Sequence, residues 1–473
     1  MTNLLMNRYT PDMLYDNYSS WRVYQDRLRR SRAMKERFRQ SGKFLLFLTG
    51  AVLTGYLIFA GGAKVAGVLK DSGEDRPAVF VGKLEKTLIQ DSVERVILDK
   101  EKVRSLLVGL PPGNFSRNPI IIQTDGTKYH VESSIDADLQ EYITSTLDTR
   151  NSRYLGIVVS EPETGRILSM GYVDKTDATN NPCVGSTFPA ASVFKIITAA
   201  AGIETKHFNP DRVFEFNGGK YTLYKSQING KTSKHSNTIT FKEAFAKSVN
   251  PVFGRIGSLY LGKAGLENYA RAFGFNETLE MEIPLAPSVM QISDDSFQWA
   301  EVASGYNKRT LITPVHGALI AGAVINGGVL MEPTVIDRVS TENGEMVYEG
   351  RKKKVRQAIS PASARTLQQL MNATVSSGTC RKSFSGYTRD KVLSRLTIGG
   401  KTGSIDNETH DVRFDWFVGY ATDKQGSKKI ALSIVVAHHK FIGTKASQYA
   451  RLIMKYYFNR IFEKRDNNPG SNT

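Results

Sequence analysis

Residues 189–202 read PAASVFKIITAAAG. Ser192 and Lys195 stand three positions apart at the opening of a strongly apolar run. On a helix, positions i and i+3 share a face, so the Lys195 ammonium lies one turn behind the Ser192 hydroxyl. Backbone N–H groups and the positive end of the helix dipole favour an anion that develops there. An apolar helix also desolvates the lysine and lowers its pKa. A neutral lysine can then take the serine proton. A lone SxxK pattern arises by chance about once in a few hundred residues at ordinary Ser and Lys frequencies, so the rest of the chain must decide. The preceding Ser186-Thr-Phe-Pro189 is a near-decoy, with proline where a lysine is needed.

Moving outward, Ser248-Val-Asn250 follows a helical segment that opens with Thr240-Phe-Lys-Glu243, a capping-box pattern. Pro251 then suits the first turn of the next helix. The motif therefore sits on a short pinned connection, where a hydroxyl and an amide can relay a proton and hold a substrate amide. Further on, Lys401-Thr-Gly403 and Ser404 follow Gly399-Gly400 within a strand pattern. Small residues let a substrate backbone lie along such a strand, and a lysine charge with the Thr402 hydroxyl suits a terminal carboxylate. Each motif alone has an ordinary structural explanation: a chance pair, a cap, a glycine-rich bend. In this order they match the S-x-x-K, S-x-N and K-T-G set of serine acyl-transferases.

On these motifs, residues 134–462 resemble the transpeptidase domain of penicillin-binding proteins. Ile135-Asp-Ala-Asp-Leu-Gln140, Pro162-Glu-Thr-Gly-Arg-Ile-Leu168, Ala303-Ser-Gly-Tyr306, Thr313-Pro314, Asn326-Gly-Gly328 and Asp415-Trp-Phe-Val-Gly-Tyr420 support the resemblance. It implies that Ser192 attacks the D-Ala–D-Ala carbonyl of a peptidoglycan stem peptide, that Lys195 is the base, and that Ser248 and Asn250 relay a proton and hold an amide. It further implies that Lys401 and Thr402 clamp a carboxylate beside Gly403, and that the backbone N–H groups of Ser192 and Ser404 form an oxyanion hole. β-Lactams should acylate Ser192, with no metal and no organic cofactor. One departure is Pro189-Ala-Ala-Ser192, where the family usually has Pro-Gly-Ser.

The patterns predict an α+β fold. Leu139, Ile143 and Leu147 place a helix over Asp136–Leu147. Tyr154–Ser160 reads as a buried strand, Glu161–Gly165 as a turn and Arg166–Tyr172 as the returning strand. The region from Ser192 to about Ala323 is mostly helical, and strands return at Leu396–Ile405, Asp415–Ala421 and Lys429–His438 before a helix at Ser447–Ile461. An antiparallel sheet built from both ends of the domain, with a helical subdomain between, follows.

Phe44–Ala63, FLLFLTGAVLTGYLIFAGGA, carries no charge. About 20 apolar residues span a ~30 Å hydrocarbon core. Arg22, Arg27, Arg29, Arg30, Arg32, Lys35, Arg37 and Arg39 precede it, so residues 1–43 form a basic cytoplasmic segment, 44–63 a single-pass transmembrane signal anchor, and the catalytic domain is extracytoplasmic. A cleaved signal peptide is the competing reading, but its apolar core is shorter. Residues 64–133 read as a juxtamembrane region, with short strands at Val79–Val81 and Ile120–Gln123 and a Pro-Pro-Gly turn within Leu106–Asn114. Residues 463–473 form a tail.

The +17 formal charge is spread along the chain and accompanies no nucleic-acid-binding module, so nucleic acid is not an expected partner. Cys183 and Cys380 have no zinc-site spacing; a single disulfide and two separate thiols both remain open. Upstream of the transpeptidase region no glycosyltransferase domain is recognisable. A separate membrane glycosyltransferase, or a division or elongation complex, is therefore an expected partner. D,D-carboxypeptidase, β-lactamase, and a non-catalytic sensor or scaffold that binds β-lactams or stem peptides are the competing functions.

Overall fold

The computed structural model describes residues 97–110, 115, 118–124, 126–185, 188–426 and 428–467. The expected basic segment, the apolar span, the Val79–Val81 strand, the Pro-Pro-Gly turn, the end of the tail and Ser186 lie outside the described residues. Among those described, no helix is long and apolar enough to cross a membrane.

The described chain opens with helix α1 (Lys100–Leu106), capped by Asp99, whose side chain accepts from Lys102 N at 2.8 Å. The hairpin β1 (Ile120–Thr124) and β2 (Thr127–Ser133) follows. Helix α2 (Ala137–Thr146) starts where sequence places it, with the Asp136 carboxylate accepting from Leu139 N. Strands β3 (Ser152–Ser160) and β4 (Ile167–Asp174) are the expected hairpin. Gly165, at φ +79°, supplies the turn between them, and its missing Cβ leaves room for the Glu332 carbonyl.

The helical middle follows: α3 (Lys195–Lys206), α4 (Phe241–Ala246), α5 (Asn250–Arg255), α6 (Ser296–Ser304) and α7 (Pro314–Ile325), with a further helix at Gly262–Ala272 and shorter pieces between. Every residue of α7 is buried. Thr313 caps it by accepting from His316 N at 3.0 Å, and Pro314 takes the first turn, where an N–H would be unpaired anyway. β5 (Ile336–Thr341), β6 (Met346–Glu349) and α8 (Pro361–Ser376) lead to the C-terminal strands β7 (Leu396–Asp406), β8 (Arg413–Asp423) and β9 (Lys429–His438), and to α9 (Ala446–Asn467).

The central sheet is five-stranded and antiparallel, ordered β7-β8-β9-β3-β4. Its strands come from both ends of the domain, as the sequence pattern implies. Alternate side chains of β3 serve opposite faces. Leu155, Ile157 and Val159 join one hydrophobic cluster with Leu139, Ile143, Ile453 and Phe458 of α2 and α9. Val158 joins the other, with Val315, Ala318 and Leu319 of α7. A strand buried on both faces needs apolar residues on both, which is why Tyr154–Ser160 reads as continuous rather than alternating. β7 is one edge of the sheet.

Cys183 and Cys380 are free, buried, and belong to the clusters on opposite faces of the sheet. The disulfide alternative is thereby removed.

The region read as juxtamembrane is knitted into the rest of the domain as far as it is described. β1 and β2 extend a four-stranded sheet, β1-β2-β5-β6. Leu98 N donates to Val347 O at 2.7 Å. The Lys100 ammonium bonds Glu332 at 2.7 Å and the carbonyls of Glu280 and Pro333, and lies 3.6 Å from fully buried Glu282. Arg104 donates to Met281 O and pairs with Glu280. The boundary expected at Ser134 therefore falls inside continuous packing.

Candidate active site

The segment that carries Ser192 is a single 3₁₀ turn, Ala191–Phe194, running straight into α3. Apolar packing holds it: Val193 and Phe194 are buried, and Trp416 Nε1 donates to Pro189 O at 2.9 Å from β8. Ala191 adopts φ +49°. This is the position where the family resemblance leads one to expect glycine, and a left-handed Ala costs about 1–2 kcal/mol. Gly305, the C-cap of α6 at φ +66°, lies so close that a Cβ there would sit 1.8 Å from Ala191 O. The strained turn is thus clamped between α6 and the sheet.

Lys195 is fully buried, and three oxygens surround its Nζ. Ser192 Oγ is at 2.8 Å and Asn250 Oδ1 at 2.7 Å; the third, Ser304 O, is closer still. Two of the three accept only. A neutral amine has two hydrogens and one lone pair, so it satisfies both carbonyl-type oxygens and turns the lone pair toward the Ser192 hydroxyl. Burial pushes the Lys195 pKa well below its ordinary value, and the Lys401 charge lowers it further. The geometry therefore favours the protonation state a base needs.

Ser248 lies between α4 and α5, and Asn250 is the first residue of α5. Thr240 caps α4 by accepting from Glu243 N at 3.2 Å. Ser248 takes φ +56°, a reversal no motif announces. Asn250 is fixed from two sides: its N donates to Lys220 O at 2.7 Å and its Nδ2 to Tyr221 O at 3.0 Å.

On β7, Lys401 is also fully buried. Its Nζ donates to Ser248 Oγ and to Thr402 O, both at 2.9 Å. Burial pushes its pKa down to about 7. The glycine cluster makes no bend here: Gly399, Gly400 and Gly403 lie in a straight strand paired through to β8. They are small because neighbours pass close. A Cβ on Gly399 would strike Tyr420, one on Gly400 would strike Phe417, and one on Gly403 would press Ala190 O and the Ala191 Cβ at 3.2 Å. Gly403 therefore lets the strand edge approach the nucleophile turn. Ser404 is exposed beyond it, opposite Asp415.

The residues expected from sequence thus form two linked groups, Ser192–Lys195–Asn250 and Lys401–Ser248, with Thr402, Gly403 and Ser404 along the strand. Sequence reasoning missed two participants. The Ser304 carbonyl is a backbone atom, and only the Ala303–Tyr306 match pointed near it. Thr379, just before Cys380, reaches Thr402 hydroxyl to hydroxyl at 2.5 Å. Among the described residues no His, Cys, Asp and Glu cluster fit to hold a metal is present.

Residues 155–458 match the penicillin binding protein transpeptidase domain family. The chain belongs to that family. Penicillin-binding protein PbpB of Mycolicibacterium smegmatis is 26% identical over 321 residues, covering 62% of this chain and 46% of that protein. Peptidoglycan D,D-transpeptidase PbpA of Mycobacterium tuberculosis is 24% identical over 320 residues, covering 59% of this chain and 61% of that one. This chain therefore spans about half to three-fifths of the curated relatives it matches. The fold is also that of the D,D-transpeptidase domain of an Eggerthella lenta peptidoglycan glycosyltransferase, with TM-score 0.56, 23% identity, and coverage of 70% of this chain and 83% of that one. It is shared by the penicillin G acyl-enzyme complex of M. tuberculosis penicillin-binding protein A, with TM-score 0.55, 21% identity, and coverage of 69% and 80%.

Proposed function

We propose that this penicillin-binding family member is a membrane-anchored peptidoglycan D,D-transpeptidase that works through an acyl-enzyme on Ser192. The observation that carries the reading is the Lys195 cradle, two acceptor oxygens and a serine hydroxyl around one buried amine. In the forward step Ser192 Oγ bonds to the penultimate D-Ala carbonyl carbon as its proton passes to Lys195. The amide bond breaks, and the leaving D-alanine nitrogen takes a proton by way of Ser248, which Lys401 adjoins. An acceptor amine from a neighbouring stem then attacks the ester, Ser192 regains its proton, and a cross-link results. Backbone N–H groups of Ser192 and Ser404 are the oxyanion donors in this reading. Thr402, with the Lys401 charge behind it, receives the terminal carboxylate.

The relative whose structure holds penicillin G as an acyl-enzyme supports the same nucleophilic role for β-lactams here. The uncharged 44–63 stretch and its basic leader support a single-pass anchor with the N-terminus inside. A separate glycosyltransferase in a division or elongation complex is the partner this arrangement calls for.

Incubating the extracytoplasmic part of the protein with defined stem pentapeptides tests the reading. Cross-linked dimers, with loss of one D-alanine per bond, are expected. Hydrolysed tetrapeptide alone makes it a carboxypeptidase. Fast turnover of a chromogenic cephalosporin makes it a β-lactamase. No covalent adduct on Ser192 with either class of compound makes it a binding protein.

A further inference from the structure

Lys401 is fully buried, with its Nζ on Ser248 and on a backbone carbonyl. A carboxylate arriving from solvent therefore does not meet the ammonium first. It meets the hydroxyls in front of it. Two of these, Thr402 Oγ1 on β7 and Thr379 Oγ1 on the loop after α8, lie 2.5 Å apart and face solvent. We propose that Thr379 is a second hydroxyl contact for the substrate's terminal carboxylate, forming with Thr402 a two-hydroxyl cradle in front of the covered Lys401. The inference rests on the acyl-transfer reading given above.

Three features place Thr379 there. The last carbonyls of a helix have no partner within it, and α4 hands three consecutive ones to this site. Ala244 O accepts from Val249 N at 2.9 Å, Phe245 O from Ser248 N at 3.0 Å, and Ala246 O from Thr379 N at 3.0 Å. One helix end therefore fixes both the Ser248 motif and Thr379. Gly378 makes the approach feasible, since a Cβ there would sit 2.3 Å from Ala246 O. Beyond Thr379, the buried Cys380 anchors the loop, with its N donating to Thr374 O at 3.1 Å. The Thr379 backbone is thus fixed beside β7.

The chemistry suits an anion. In the free protein one hydroxyl donates to the other, which wastes a donor. A carboxylate has two acceptor oxygens at a spacing close to that of the two hydroxyls. On binding, each hydroxyl can turn its proton to one oxygen, and both bonds become charge-assisted. The buried Lys401 then acts through its field rather than by contact, leaving it free to serve Ser248.

The test compares penicillin G with its methyl ester on the full chain, for wild type, Thr379→Val and Thr379→Ser. Valine keeps the shape and removes the hydroxyl. Thr379→Val should slow acylation of Ser192 by penicillin G about tenfold or more, through weaker binding rather than a slower chemical step. Acylation by the ester should be unchanged between wild type and Thr379→Val, and Thr379→Ser should restore the acid's rate. Equal losses on acid and ester, with or without a lowered thermal midpoint, would reduce Thr379 to a structural clip. A labelled wild type with an unaffected Thr379→Val overturns this inference alone. A wild type that penicillin G does not acylate overturns the acyl-transfer reading, and this inference with it.

Discussion

Two lysines of the site are equally buried, and they are held in opposite ways. Around Lys195, α6 and α5 supply acceptor-only oxygens, and the one remaining direction is Ser192. Around Lys401 there is one acceptor-only oxygen, Thr402 O, and a hydroxyl, Ser248, that can give or take a proton. The first pocket fixes a neutral amine as a proton acceptor. The second tolerates either charge state, and its pKa of about 7 puts both within reach. Burial alone does not assign a lysine its role; the donor and acceptor character of the neighbours does.

Replacing each lysine by methionine should separate the pockets most sharply. Lys195→Met should cut the rate of Ser192 acylation about a thousandfold. Lys401→Met should cost about ten- to a hundredfold, because it removes a field and a relay partner rather than the base. Comparable losses in a stopped-flow β-lactam assay would erase the distinction drawn here.

Gly305→Ala probes the clamp that keeps the first pocket closed. It forces Ala into a left-handed conformation and drives a methyl into Ala191 O. A loss of about 3 kcal/mol in chemical denaturation is expected from the strain and overpacking together. A loss under about 1 kcal/mol would show that the nucleophile turn moves freely.

The titration of Lys401 gives a smaller effect with a definite sign. The unfolded chain keeps this proton up to a pKa near 10.4, whereas the folded protein releases it at about 7. Between those values the unfolded state binds more protons, so stability rises with pH. Lys195 contributes in the same direction. The buried thiols of Cys183 and Cys380, pushed up to about 12, act oppositely once free thiols ionise near 8.5. The window is therefore roughly pH 7 to 8.5. There Lys401→Met should flatten the stability–pH slope by up to about 1.4 kcal/mol per unit, one proton's worth. An unchanged slope in urea titrations would mean that Lys401 stays charged.

Smallest is Ala191→Gly. Glycine adopts φ +49° without strain, but it is more disordered when unfolded. A gain of up to about 1 kcal/mol is expected, with acylation within a few-fold of wild type. A destabilised variant would mean that the Ala191 methyl packs usefully against Gly403.

The sheet, the helical middle and all three motifs were legible in the sequence, because each rests on side-chain type and spacing. Leu139, Ile143 and Leu147 at four-residue spacing mark a helix. What was illegible rests on backbone or on distance in the chain. Ser304 acts through a carbonyl that every residue has. The left-handed turns at Ala191 and Ser248 use residue types that usually avoid them. Thr379 is an ordinary threonine until β7 comes to lie beside it. The pairing of β2 with β5 joins residues about two hundred positions apart, and no local pattern announces that. The strand over the β7 glycines was legible, but not Tyr420, Phe417 and the Ala190–Ala191 turn, whose close approach keeps those positions small.

The docking of α1 has a mechanical consequence. The first described residues are held to the rest of the domain by Leu98, Lys100 and Arg104. These grip residues 280–282, 332–333 and 347, within and around the small β5–β6 sheet. That sheet is itself coupled to the β3–β4 turn by Arg166, which pairs with Asp337. The Ser192 turn and the strand edge at Lys401 make none of these hydrogen bonds. If the chain before residue 97 is the anchor proposed above, a load on it enters the domain through contacts that the Ser192 turn does not share.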